Sequence, residues 1–78
     1  MRTIGRNDCG AAVEDVQRRL RVMGYELAVD GEYLQRTCDA VRMFRQSEGL
    51  PPGDFVDERT WSALVDASFS LGDRMLYL

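Results

Sequence analysis

Residues Asp30 to Thr37 read DGEYLQRT, and 23 positions later Gly53 to Thr60 read GDFVDERT. Both stretches carry the same signals in the same order: a turn-forming pair of Asp and Gly, a large apolar residue, and a polar run that opens a helix. The shift of 23 lays Tyr33 on Val56, Arg36 on Arg59, Thr37 on Thr60, Ala40 on Ala63 and Val41 on Leu64. In a chain of 78 residues this leaves little choice of fold, because two helices entered from like turns must bury their apolar faces on each other and on whatever precedes them. Stacked repeat arrays need three or more units, so the pair reads as a device duplicated inside one domain.

The preceding segment, GAAVEDVQRRLRVMGY, supplies the third partner. Val13, Val16, Leu20 and Met23 recur at helical spacing, the acidic Glu14 and Asp15 come early, and the arginines follow, as the helix dipole favours. Gly24 then Tyr25 reads as a helix stop with its apolar contact. A second helix is expected from about Leu34 to Glu48, with Thr37, Ala40, Val41 and Phe44 as its stripe and Gly49-Leu50 as its stop. Pro51-Pro52-Gly53 turns the chain. A third helix is expected from about Asp57, a good N-cap, to Ala67, burying Trp61, Leu64 and Val65. The expected fold is therefore all-α: a compact three-helix bundle with two similar turn-helix units, an N-terminal arm at 1–9, the domain at 10–67, and a C-terminal segment at 68–78. That last segment is apolar enough either to pack back on the bundle or to begin a linker or second domain.

Chemistry is narrowed by what is missing. The sequence has no histidine, which removes an imidazole base, a His zinc site and any Ser-His or Cys-His nucleophile. Asp30, Glu32 and Asp54 lie in turns with no sign of the burial that tunes carboxylates for acid–base work, so no catalytic residue, metal or cofactor is expected. A net charge of -3 speaks against nucleic acid, although three short helices raise the helix-turn-helix alternative. No apolar run is long enough to insert in a membrane. The opening MRTIGRNDCG carries no secretory h-region, so export would need a leader outside this sequence. Cys9 and Cys38 lack CxxC spacing and read as two separately packed thiols, with a disulfide between them as the other reading.

Written as a pattern, the chain is G-x-x-V-x-x-V-Q-x-x-L-x-x-x-G-Y, then D-G-x-Y-x-x-x-T-x-x-A-V-x-x-F-R, then G-L, then T-W-x-x-L. This resembles the three-helix peptidoglycan-binding domain appended to bacterial cell-wall amidases, transpeptidases and spore-cortex lytic enzymes. The likeness runs from Gly10 to about Ala67. It departs from the family's pattern at Leu34, where a glycine is usual, at Arg45, where a glutamine is usual, at the inverted Gly53-Asp54, and at Asp57, again in place of a glycine. The closing LGDRMLYL is similar to the segment that follows this domain in some actinobacterial amidase-like proteins.

The resemblance implies a non-catalytic module that binds peptidoglycan, by stem peptide, glycan or both, and is fused to or works with a wall hydrolase in the cell envelope or outside the cell. The alternative is a protein-interaction or regulatory domain that keeps the fold without the ligand. Two turns feeding two helix starts place N–H groups and carbonyls where a peptide's carboxylates and amides can meet them. The candidate binding residues are accordingly Asp30, Gly31, Tyr33, Arg36, Thr37, Asp54, Arg59 and Thr60, with the two loops as the walls of one shallow groove. Arg36, Arg59 and Arg42 are the charges suited to a stem-peptide carboxylate, against the plainer reading of solvated surface arginines. Tyr33 is expected partly exposed, to stack on a glycan or to plug the gap between helices. Thr37 and Thr60 fit helix-start roles equally well, Asp30, Gly31 and Asp54 fit turn roles, and Trp61 reads as core rather than as a sugar platform.

Overall fold

The helices form where apolar spacing and capping residues put them. The computed structural model describes the backbone of residues 2–76 and the side chains of residues 2–69. Helix α1 spans Ala11–Val22, α2 spans Gln35–Ser47 and α3 spans Glu58–Leu76. No strand occurs among the described residues, and the sheet-like pairing is limited to two isolated bridges, Ile4 with Val56 and Cys9 with Glu32.

Both glycine stops are Schellman caps. Gly24 and Gly49 sit at positive φ, 99° and 71°. The Tyr25 amide donates to Leu20 O at 3.1 Å and the Leu50 amide to Arg45 O at 2.9 Å, closing the last turns of α1 and α2. Helix α3 behaves differently from expectation, running on past Ala67 to Leu76. Residues 68–71 contain no glycine-then-apolar pair to end it, and Gly72 inside a helix costs only about 1 kcal/mol relative to alanine. The proposed packing of the C-terminal segment through its side chains, and Tyr77 and Leu78 themselves, lie outside the described residues.

Val13, Val16, Leu20, Ala40, Val41, Phe44 and Leu64 meet in the core, with α3 packed chiefly on α1. Trp61 is half-buried against this cluster and carries the Arg19 guanidinium over its ring, 5.2 Å from the centroid. Cys38 is buried and Cys9 exposed, both as free thiols.

The N-terminal arm is part of this core rather than an appendage. Ile4 is buried and exchanges backbone hydrogen bonds with Val56 at 3.0 and 2.8 Å. A few residues on, the Asn7 amide donates to Tyr33 O at 2.8 Å, the Tyr33 amide to Asp8 O at 3.0 Å and the Gly10 amide to Gly31 O at 2.9 Å. One extended segment thus stitches the first turn to the second.

Gly31 is required where this stitching is tightest. Its φ is 76°, and a Cβ there would stand 3.2 Å from Glu14 Cγ and 3.4 Å from Gly10 O. Gly31→Ala is expected to destabilise the domain by roughly 1–2 kcal/mol, the cost of a left-handed non-glycine residue, read as a lower urea midpoint at unchanged slope.

Candidate functional site

Two buried polar side chains organise the two turns. Gln17 lies on the apolar face of α1, at the position between Val13 and Leu20 that helical spacing turns inward, and is 1% exposed. Its Oε1 accepts the Asp30 amide at 3.1 Å and the Gly31 amide at 2.9 Å. Its Nε2 donates at 3.0 Å toward Asp30 Oδ1, Glu32 O and Thr37 Oγ1. One amide therefore holds the first turn and the start of α2.

Arg45 does the same for the second turn from the equivalent face of α2, and is 2% exposed. Its Nε and Nη2 donate to Pro51 O at 3.0 and 2.8 Å. Nη1 reaches Phe55 O at 3.3 Å, Asp57 Oδ1 at 3.4 Å and Thr60 Oγ1. The guanidinium also lies over the Phe55 ring, 4.3 Å from its centroid. A glutamine bears no charge to bury; an arginine does, and Asp57 supplies the counter-charge. The departures at positions 45 and 57 thus face one another.

The helix starts are unequal for the same reason. Asp57 caps α3, its Oδ1 accepting the Thr60 amide at 2.9 Å and the Thr60 hydroxyl at 2.6 Å. Those bonds, with Arg45 adding its charge, hold the Asp57 carboxyl below its ordinary value of 3.8. Leu34 occupies the matching place before α2, offers no side-chain cap and stays exposed. There Thr37 Oγ1 takes its bond from Gln17 instead. In the first turn the Glu32 amide, and after it Gln17, hold the Asp30 carboxyl below the usual carboxylate range.

The two turns are neighbours, and buried side chains fill the space between them. Tyr33 is fully buried between them, contrary to the expected partial exposure, and its hydroxyl donates to Asp54 O at 2.5 Å. That carbonyl satisfies the only polar atom of the ring system, so complete burial leaves nothing unpaired. Burial, with Cys38 and Asp54 nearby, pushes the Tyr33 phenol far up. Thr37, Thr60 and Gly31 are buried as well, each committed to the bonds given above. Asp54 is half-buried, with its carboxylate 3.7 Å from Arg42, which also pairs with Asp39 at 3.3 Å. Arg59 is exposed and makes no ion pair among the described residues.

One cleft, of about 340 Å³, lies away from both turns among Asp15, Arg18, Arg19, Val22 and Ser68, and two more open beside the first turn. A cleft of about 270 Å³ is lined by Leu27, Ala28, Asp30, Glu32, Leu34, Gln35 and Arg36, with the buried Gln17 and Thr37 at its floor. Arg36 also borders a neighbouring cleft of about 230 Å³ lined by Tyr25, Glu26, Asp39, Ala40 and Met43. Neither cleft takes a wall from the second turn. Of the residues singled out in the sequence, this surface brings together Asp30, Arg36 and Thr37. It leaves Asp54, Arg59 and Thr60 elsewhere. Glu32 and Leu34, noted in the sequence as a turn carboxylate and as a departure from a glycine, were not among the candidate binding residues, and no periodicity marks residues of an irregular turn. For Gln17 and Arg45 a signal did exist: each is a polar residue one helical turn along an otherwise apolar stripe. The groups that could ligate a metal form no cluster among the described residues.

A family model described as "Putative peptidoglycan binding domain" matches residues 9–64. The SleB N-terminal domain is 34% identical, with a TM-score of 0.83 over 86% of this chain and 93% of that one. A peptidoglycan-binding protein from Clostridioides difficile, solved with glutamine hydroxamate, is 25% identical, with a TM-score of 0.84 over 86% of this chain and 42% of that one. The endolysin of Burkholderia AP3 phage is 36% identical, with a TM-score of 0.78 over 81% of this chain and 24% of that one. The chain spans most of the first structure and less than half of the other two. Among curated proteins none matches it.

Gln17→Leu keeps the side-chain bulk but leaves the Asp30 and Gly31 amides without their acceptor. A loss of about 2–4 kcal/mol is expected, a fall in melting temperature of roughly 10 °C or more, while the exposed Gln46→Leu should stay within about 0.5 kcal/mol of the parent. Because the folded-state pKa of Asp57 is depressed, its contribution is present above about pH 4 and drains away as pH falls through the folded value. Asp57→Asn should therefore flatten the acid limb of stability against pH, followed by circular dichroism melts from neutral to strongly acidic buffer.

Proposed function

The chain belongs to the peptidoglycan-binding domain family, and from that premise we propose that it is a non-catalytic module that grips cell-wall polymer and keeps an attached or partner wall-modifying enzyme beside its substrate. The observation that carries this reading is the family match over residues 9–64, which takes in both turn-helix units. Likeness to a phage endolysin and to a fused amidase from Clostridium acetobutylicum supports the tethering part. The gain from such a tether is concentration: a short flexible link holds two sites at roughly millimolar effective concentration, so a weak grip suffices.

The binding surface in this reading is the cleft of Asp30, Glu32, Leu34 and Arg36. Rigid support reaches it from below, since Gln17 fixes the backbone that presents Asp30 and Glu32. A shallow, charged, solvent-open site of this kind yields modest affinity that weakens with salt.

The chain is expected to co-sediment with purified sacculi at low salt, and Arg36→Gln to lower the retained fraction by about threefold to tenfold. Protein remaining wholly in the supernatant would count against the reading. Retention by a single protein partner in place of sacculi would favour an interaction domain.

A further inference from the structure

The cleft beside the first turn carries charges of both signs that do not neutralise each other. Asp30 and Glu32 stand on the turn and Arg36 on the first turn of α2, all three exposed and all lining the same cavity. Among the described residues none of the three makes an ion pair, although four other pairs form on this small surface. Asp30 Oδ1 is engaged by the Glu32 amide and by Gln17, which anchors the carboxylate in place. Arg36 makes no side-chain hydrogen bond to the rest of the described chain, so its donors are available. Opposite charges that line one cleft yet stand too far apart to pair leave room for something between them.

The apolar part of the lining narrows that something further. Leu27, Ala28 and the half-exposed Leu34 supply it, with Gln35 as a further polar neighbour. Its volume of about 270 Å³ falls just under the ~300–1,000 Å³ of ordinary small-molecule sites, which suits one amino-acid-sized group rather than a run of sugar rings.

We propose that this cleft recognises a zwitterionic side-chain end, an ammonium and a carboxylate on one carbon at the tip of a short aliphatic stem, as diaminopimelate presents in wall stem peptides. The ammonium sits against Asp30 and Glu32, the carboxylate takes the Arg36 fork, and the methylenes lie along Leu27, Ala28 and Leu34. A lysine side chain in the same place meets the acidic wall and leaves Arg36 unanswered. The module thereby distinguishes wall chemistries by the third residue of the stem peptide. This rests on the wall-binding reading above and adds the identity of the recognised group.

The test titrates the chain with two soluble tripeptides, L-Ala-D-Glu-diaminopimelate and L-Ala-D-Glu-L-Lys, following amide chemical shifts or heat. The diaminopimelate peptide is expected to bind roughly tenfold more tightly, with the Glu32 and Arg36 amides among those that shift most. Arg36→Gln should bring the two affinities within about twofold, and Arg59→Gln, a matched exposed arginine outside the cleft, should leave the preference as it was. Equal affinities in the parent chain, or a preference that survives Arg36→Gln, would overturn the inference. Failure to bind either peptide by a chain still retained on sacculi also overturns it and leaves the wall-binding reading standing. Failure on both peptides and sacculi removes the two together.

Discussion

One buried carboxamide ties the first turn to two helices. Gln17 is enclosed in the face that α1 turns to the core, where an unbonded amide would cost about 1–3 kcal/mol, yet it reaches five partners in the first turn and at the head of α2. The turn has no hydrophobic core of its own and could not hold a left-handed Gly31 by packing alone. Anchored by Gln17, it becomes a rigid ledge. The cleft, the course of the N-terminal arm and the burial of Tyr33 all follow from where that ledge stands.

The second turn shows the same solution reached with different chemistry. A guanidinium replaces the carboxamide, so a full charge enters the interior, and Asp57 answers it while capping α3. Removing either group alone leaves its partner uncompensated, which ties the residue at 45 to the residue at 57. The duplicated unit is therefore less the turn sequence itself than the pairing of a turn with an inward polar side chain from the helix before it. Ser68 is a further buried polar side chain, but it serves no turn: it donates to Leu64 O of its own helix at 2.7 Å and accepts from Arg19 of α1 at 3.1 Å.

Bringing the two turns together closes the space between them. Tyr33 fills it from one side, and the arm with Ile4 and Val56 fills it from the other. The open cleft is left at the outer edge of the first turn, where Leu34 in the usual glycine position adds apolar surface beside Asp30, Glu32 and Arg36. The amide that fixes the turn also lines the cleft, so the shape of the cleft depends on the same bonds that hold the turn.

Local rules were enough to place α1 and α2, both glycine stops and the Asp57 cap, because helical periodicity and capping act over a few residues. The three-helix class followed from three stripes with nowhere else to go. The resemblance was carried by the helical skeleton, and the family match covers that stretch. The polar residues at 17 and 45 stood in plain view on their stripes, but their partners lie 13 to 20 and 6 to 15 positions away. What only tertiary structure decided was exposure: that Tyr33 is a plug, that Ile4 of the arm is core, and that Arg36 borders the cleft beside the first turn while Arg59 stands outside it. Exposure is set by what stands opposite a residue, and the helix spacing that assigns its own face carries no record of its neighbour.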